Sequence, residues 1–472
     1  MDIESTVSVS NETAIAQKSV DLDVESSVVV PSETSAAVRA KSYSLYSTLT
    51  FVALLVGYGG YYLCRQNLGL AYVSMKESLG IDAIQFGWIN TIGTAAYGLG
   101  KLTCGSIADS KIGGKRIFFV GLFGSASLCF IFGFGKTLPF FIIVWTASRF
   151  LQSSGWSGLV NVMTQWFPRR TYGTAMGFMS LSYQFGGVVV ALYCSYLIAR
   201  GGNWQTLFFV PAITLVLIGL MIYPFLRQKP EDVGLTMPAS RGEETKLSAV
   251  EERPTKYKER FLTLVSNRAF VAMLSLSLIL TFLRECFNIW MPAYFSQMGA
   301  SASVAGFKST LFPLFGCLGT LIGGWSSDRY LSGRRAPVMA ALMLVLVFCL
   351  IGLGNVETVS AFVQSYWSGC TPSRLSMILV GACGFFLLGS YSFVSGVVAL
   401  DFGGKKVAGT AAGLLDGVGY MGATVAGVCI AKLITHSGWN RTFESLAGCV
   451  IAGIFVCMFL WNRELVGRGH AQ

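Results

Sequence analysis

The stretch GSIADSKIGGKR, residues 105–116, recurs as GWSSDRYLSGRR at residues 324–335. A glycine, an aspartate and a basic pair return in register: Gly105 with Gly324, Asp109 with Asp328, Lys115 with Arg334 and Arg116 with Arg335, at a constant offset of 219 positions. A second match, RRTYGTAMG at 169–177 with KKVAGTAAG at 405–413, has an offset of 236, so the second copy has gained 17 residues between the two matches. The polar loop near 355–374 accounts for them. Self-similarity of this kind constrains the whole fold, because each copy must build the same unit. The chain reads as two copies of one bundle.

Composition says what kind of bundle. Of 472 residues, 53% are apolar and only 12% are charged, with 54 glycines and a positive mean hydropathy. Ordinary soluble domains carry about 25% charge, so this is a polytopic membrane protein. Twelve apolar spans are expected near 46–66, 84–107, 117–135, 139–165, 173–199, 205–226, 268–294, 303–325, 337–354, 375–399, 409–434 and 442–462. At about 20 residues per crossing they use roughly 240 residues, which leaves no room for a large extramembrane enzyme domain. The expected fold is an all-α membrane protein of 12 transmembrane helices in two pseudo-symmetric six-helix bundles, 43–226 and 263–462. A polar linker at 227–262 joins them, and 463–472 is a short tail. Residues 1–42, rich in Ser, Val, Thr and Glu without an apolar run, read as a disordered tail with no secretory signal.

The net charge of +11 is topological. Lys and Arg gather at 39–41, 111–116, 169–170, 227–260, 329–335, 405–406 and 463–468, always with an even number of spans between clusters. All of them fall on one face, which the positive-inside rule assigns to the cytosol together with both termini. The partner implied is a lipid bilayer rather than nucleic acid. Twelve cysteines lie mostly inside spans without a C-x-x-C pair, and His436 and His470 lie at a span end and in the tail. Neither a metal nor a cofactor is expected. No G-x-x-x-x-G-K-[ST] motif is present, which disfavours an ATP-driven pump.

The repeat also explains an expensive residue. Arg65 lies in GGYYLCRQNLGLAY, residues 59–72, and an offset of 219 lands on Arg284 in TFLRECFNIW, residues 281–290. A guanidinium inside a membrane stays charged and is costly. Two arginines at equivalent places in two parallel halves should face each other across the axis between them, where such transporters hold their substrate. Facing guanidinium groups repel and lose hydration, and a dianion removes both penalties. The planar fork matches phosphate oxygens bidentately, and a phosphate monoester offers three oxygens and nearly two charges. Tyr58, Tyr61 and Tyr62 precede Arg65 within two turns, and Tyr97 and Lys101 lie one turn apart on the second span, so Lys101 adds a third cation.

Twelve spans in two halves, with G-x-x-x-D and a basic pair after the second and eighth, resemble the major facilitator superfamily. RFLQSSGW from Arg149 and RQKPEDVGL from Arg227 are similar to its signatures. Within it, YYLCRQNLGLA, AAYGLGKLTCGSIADS, SSGWSGLVNVMTQWF, FLRECFNIWMPAYF and KKVAGTAAGLLDGVGYMGATVAG resemble the organophosphate:phosphate antiporter family of glycerol-3-phosphate, hexose-phosphate and glucose-6-phosphate carriers. That resemblance implies that Arg65 and Arg284 bind phosphate and that Tyr58, Tyr62, Tyr97, Lys101, Trp156 and Tyr420 line the same cavity. The chain departs from the family at Gln66, Ser157, Tyr183 and Asp416, where Lys, Pro, His and a small residue are usual.

Asp109, Lys115 and Arg116, with Asp328, Arg334 and Arg335, are expected to form a conformational latch that does not touch substrate. Arg149 reads as a packing residue or as part of proton coupling. Asp416, an intramembrane carboxylate, reads as a partner for Lys101 or an arginine, or as a coupling site. The function these readings imply is not enzymatic: exchange of a phosphorylated small organic anion for inorganic phosphate by alternating access, in a monomer. A proton- or sodium-coupled carboxylate symporter and a transporter-like sensor of phosphate esters are the alternatives.

Overall fold

The computed structural model describes residues 33–108, 112–236, 264–330, 336–366, 368–395 and 413–469, with 262 and 411 singly. Among them the secondary structure is helical, and each of the twelve expected spans overlaps a helical segment of the described residues. Eight helical runs are long and apolar enough to cross a membrane. The second and fourth spans, Ala83–Ala108 and Leu138–Trp166, are not among them because they carry polar residues inward, among them Asn90, Thr94, Lys101, Arg149 and Gln152. The sixth, Thr206–Ile222, is shorter. One run, Gly413–Asn462, contains two crossings, because the helix Val428–Gly469 leaves helical geometry at Gly438. Its φ of 73° and ψ of 179° suit glycine alone.

The first span differs from its expected form in two ways. Its helix starts at Glu33, so the stretch 1–42 read as a tail is helical from residue 33. It also does not end near residue 66: helix Glu33–Tyr61 passes into a 3-10 turn, Tyr62–Cys64, and resumes as Asn67–Leu79. Arg65 sits in the break, where its N–H and that of Gln66 both donate to the Tyr62 carbonyl, at 3.1 and 3.2 Å. Backbone freed inside a membrane must find partners within the protein. Gln152 of the fourth span supplies one, donating to the Cys64 carbonyl at 2.8 Å. Asn67 anchors the restart by donating to the Leu207 carbonyl at 3.0 Å. The break turns Arg65 off the regular helical path and into the space between the halves.

The two halves meet along the second and eleventh spans. Away from the basic face, a Cβ on Gly87 would lie 2.9 Å from the Val428 Cα and 3.0 Å from the Gly427 carbonyl oxygen. Thr91 Oγ1 donates to the Thr424 carbonyl at 3.1 Å and accepts from the Val428 N–H at 2.9 Å. The first and seventh spans approach as closely, with the Gly69 Cβ position 3.1 Å from the Ile289 carbonyl oxygen. Between the fifth and eighth, Ser303 Oγ donates to the Ser195 carbonyl at 2.8 Å. Small residues let backbones touch in this way. From Gly87 to Lys101 is about 21 Å along the helix, so this contact frames a site deep in the bundle.

The 17 residues gained by the second half contain a short helix, Val356–Gln364, before the tenth span Pro372–Ser395. Gln152→Leu removes the donor to the Cys64 carbonyl at the break in the first span. Its expected cost is about 1–3 kcal/mol of stability, read as a lowered midpoint in thermal unfolding of the purified protein.

Candidate functional site

Arg65, Tyr97, Arg284 and Tyr420 come together from the first, second, seventh and eleventh spans. Arg65 donates from Nη1 to the Tyr97 hydroxyl at 3.0 Å and from Nη2 to the Tyr420 hydroxyl at 2.9 Å. Arg284 Nη2 reaches the same Tyr420 oxygen at 3.5 Å. The two Nη2 atoms are therefore no more than 6.4 Å apart, the two distances taken together. At an effective dielectric constant near 20, like charges at that separation repel by roughly 2–3 kcal/mol. Aromatic faces offset part of this: Arg65 lies 4.4 Å from the Tyr97 ring centre and 5.1 Å from that of Tyr62, and Arg284 lies 4.4 Å from that of Tyr391.

Lys101 donates to Asp416 Oδ2 at 2.7 Å, an ion pair between the second and eleventh spans with side chains 13% and 26% exposed. Of the partners considered for Asp416, the structure selects Lys101. The lysine also faces the rings of Tyr97, Trp156 and Tyr420 at 5.8, 5.9 and 5.5 Å. A second cross-half pair joins Arg149 of the fourth span to Glu285 of the seventh, with Nη2 to Oε1 at 3.8 Å.

Two adjoining cavities surround the arginine pair. The larger spans ≈ 690 Å³ of space between side chains, part of it open to solvent, and is lined by Arg65, Arg149, Arg284, Glu285, Asn90 and Trp145 among others. The smaller, ≈ 480 Å³, is lined by Tyr58, Tyr62, Lys101, Trp156, Tyr183, Arg284, Tyr391, Asp416 and Tyr420. Tyr62, Tyr183 and Arg284 line both. Among the described lining residues the two cavities hold four cations and two carboxylates, a net charge of +2.

The structure brings Tyr58, Tyr62, Tyr97, Lys101, Trp156, Arg65, Arg284 and Tyr420 together. Tyr61 turns away, its hydroxyl donating to the Phe118 carbonyl. Tyr391 and the pairing of Glu285 with Arg149 carry no sequence signal and emerge only from the packing. Of the latch residues, Asp109, Arg334 and Arg335 lie outside the described residues, and Asp328 is described only as part of the helix Leu311–Tyr330. Lys115 packs its ammonium 4.6 Å from the Tyr223 ring centre, and Arg116 is exposed.

Comparison with known proteins places this architecture. The sequence pattern of the Major Facilitator Superfamily matches residues 54–427. The chain is 28% identical over 438 residues to the probable hexose phosphate transport protein of Chlamydia trachomatis, covering 90% of this chain and 93% of that protein. It is 28% identical over 427 residues to the glycerol-3-phosphate transporter of Bacillus subtilis, covering 87% and 91%. Among solved structures, a D-xylose-proton symporter aligns with a TM-score of 0.65 at 16% identity, covering 87% of this chain and 97% of that one; at that identity the likeness concerns the fold.

A double-mutant cycle tests the Lys101–Asp416 pair. Lys101→Met and Asp416→Leu each leave one charge without its partner, whereas the double variant removes both, so the single changes lower the unfolding temperature more than their combination. The coupling expected for groups in contact is about 0.5–3 kcal/mol, measured as thermal stability of the four proteins.

Proposed function

The chain belongs to the Major Facilitator Superfamily, and we propose that it exchanges a phosphorylated small organic anion for inorganic phosphate. One observation carries the reading: Arg65 and Arg284, from opposite halves, converge on one tyrosine oxygen with no carboxylate hydrogen-bonded to either among the described residues. The +2 charge left after the two ion pairs matches a phosphate dianion. The similarity to hexose-phosphate and glycerol-3-phosphate transporters supports the same class of cargo.

The mechanism follows from that charge. Without ligand, the guanidinium groups resist closer approach, and the Tyr420 hydroxyl accepts from both. A phosphate group offers each arginine a charge-assisted acceptor in place of the shared hydroxyl. The gain is larger when the two halves draw closer round the ligand, and only such differential binding can drive the change of state. An unloaded carrier keeps its repulsion and returns slowly, so flux in one direction requires a phosphate species travelling in the other. Lys101 and Asp416 offer a donor and an acceptor to hydroxyl groups of the organic moiety, and Tyr58, Tyr62 and Trp156 offer it flat walls. The basic face, with both termini, is the cytosolic face under this reading.

The test is uptake of radiolabelled phosphate into proteoliposomes loaded with phosphate, glycerol 3-phosphate, glucose 6-phosphate or buffer. Exchange is expected with a phosphate species inside and not with buffer, and Arg65→Lys and Arg284→Lys should each lower it at least tenfold. Phosphate uptake that is indifferent to the internal load would overturn exchange. Binding of phosphate without any flux would point instead to a sensor.

A further inference from the structure

The larger cavity contains more donors than the arginine pair needs. Arg149 is 2% exposed, and its guanidinium lies 4.8 Å from the Tyr97 ring centre. Its contacts are loose: 3.8 Å to Glu285 Oε1 from Nη2, and 3.5 Å to Gln152 Oε1 from Nη1. Its Nε and Nη2 make no hydrogen bond among the described residues. The same holds for Arg284 Nε, Asn90 Nδ2 and Trp145 Nε1, all buried in residues that line this cavity. Gln184 Oε1 is the acceptor left without a donor there. Each unsatisfied buried donor costs about 1–3 kcal/mol, and folded proteins keep few of them. Five in residues around one cavity, with three guanidinium groups and one carboxylate, suit an acceptor-rich anion.

We propose that Arg149 is a third guanidinium of the anion site, so that the phosphate group occupies the larger cavity between Arg65, Arg149 and Arg284. The proposal rests on the phosphate-exchange reading and deepens it. Arg149 belongs to the first half and Glu285 to the second, so binding trades a stretched ion pair across the halves for contacts through the ligand. Glu285 then sets the charge: three guanidinium groups less one carboxylate leave +2, which favours a dianion over a trianion. The smaller cavity, whose Lys101 is neutralised by Asp416 at 2.7 Å, is left for the organic moiety.

Binding, rather than flux, separates this proposal from the exchange reading. Inorganic phosphate, glycerol 3-phosphate (two charges) and 3-phosphoglycerate (three charges) are titrated calorimetrically into the purified full-length protein at neutral pH, for wild type, Arg149→Gln, Arg149→Lys and Glu285→Gln. Arg149→Gln is expected to weaken phosphate binding at least tenfold, with Arg149→Lys in between. Glu285→Gln is expected to shift the ratio of the two ester affinities at least fivefold toward the trianion. Wild-type affinity in Arg149→Gln, with only its unfolding temperature lowered, would show a packing residue and overturn the proposal. If Arg149→Gln does not fold, Glu285→Gln decides, because an unchanged affinity ratio in it also overturns the proposal. No phosphate binding by wild type overturns it as well. Arg149-dependent binding without flux would uphold this site while the exchange reading fails.

Discussion

Two arginines from opposite halves share one tyrosine oxygen, and the remainder of the site is arranged around that like-charge contact. Arg65 and Arg284 cannot shed their protons, and among the described residues no carboxylate is hydrogen-bonded to them. Their nearest relief is aromatic: Tyr62, Tyr97 and Tyr391 present ring faces, and Tyr420 presents its oxygen to both. Relief of this kind is partial, since hydroxyl and ring dipoles are weaker than a formal negative charge. A site that holds positive charge in reserve is stabilised by the ligand it is built to take.

The surrounding ion pairs keep that reserve at a fixed value. Lys101 is cancelled by Asp416, and Arg149 is partly answered by Glu285. Both pairs run between the halves. Each therefore adds an attraction across the interface that the arginine pair opposes, and the balance between them changes when an anion enters. In a membrane-buried setting, where bulk screening is weak, such a balance responds to a single bound charge.

The architecture supplies the geometry by breaking one of its own rules. A straight first span would carry Arg65 along a regular helical face; the 3-10 turn at Tyr62–Cys64 instead displaces it, and Gln152 takes up the freed Cys64 carbonyl. Close glycine contacts at Gly69, Gly87 and Gly427 bring the halves within reach away from the basic face. Without that approach, side chains from the first, second, seventh and eleventh spans would not meet at one hydroxyl.

The sequence by itself determined the duplication, the approximate places of the spans apart from the limits of the first, and the equivalence of Arg65 with Arg284, because apolar run length and repeat offset are properties of the chain read in order. It also marked Tyr58, Tyr62, Tyr97, Lys101, Trp156 and Tyr420, which lie in or beside stretches that resemble a known family. Only the tertiary structure decided which charges are paired. Glu285 follows Arg284 in the chain, yet adjacent helical positions point apart, and its nearest cation is Arg149, 136 positions earlier. Asp416 finds Lys101 across 315 positions, and Tyr391 reaches Arg284 from the tenth span. The break at Arg65 was equally hidden, since Tyr-Leu-Cys carries no helix-breaking residue and the turn is held by a glutamine from another span. Pairing inside a bundle is set by how helices rotate and cross, and that depends on contacts between residues far apart in the chain, which no local pattern records.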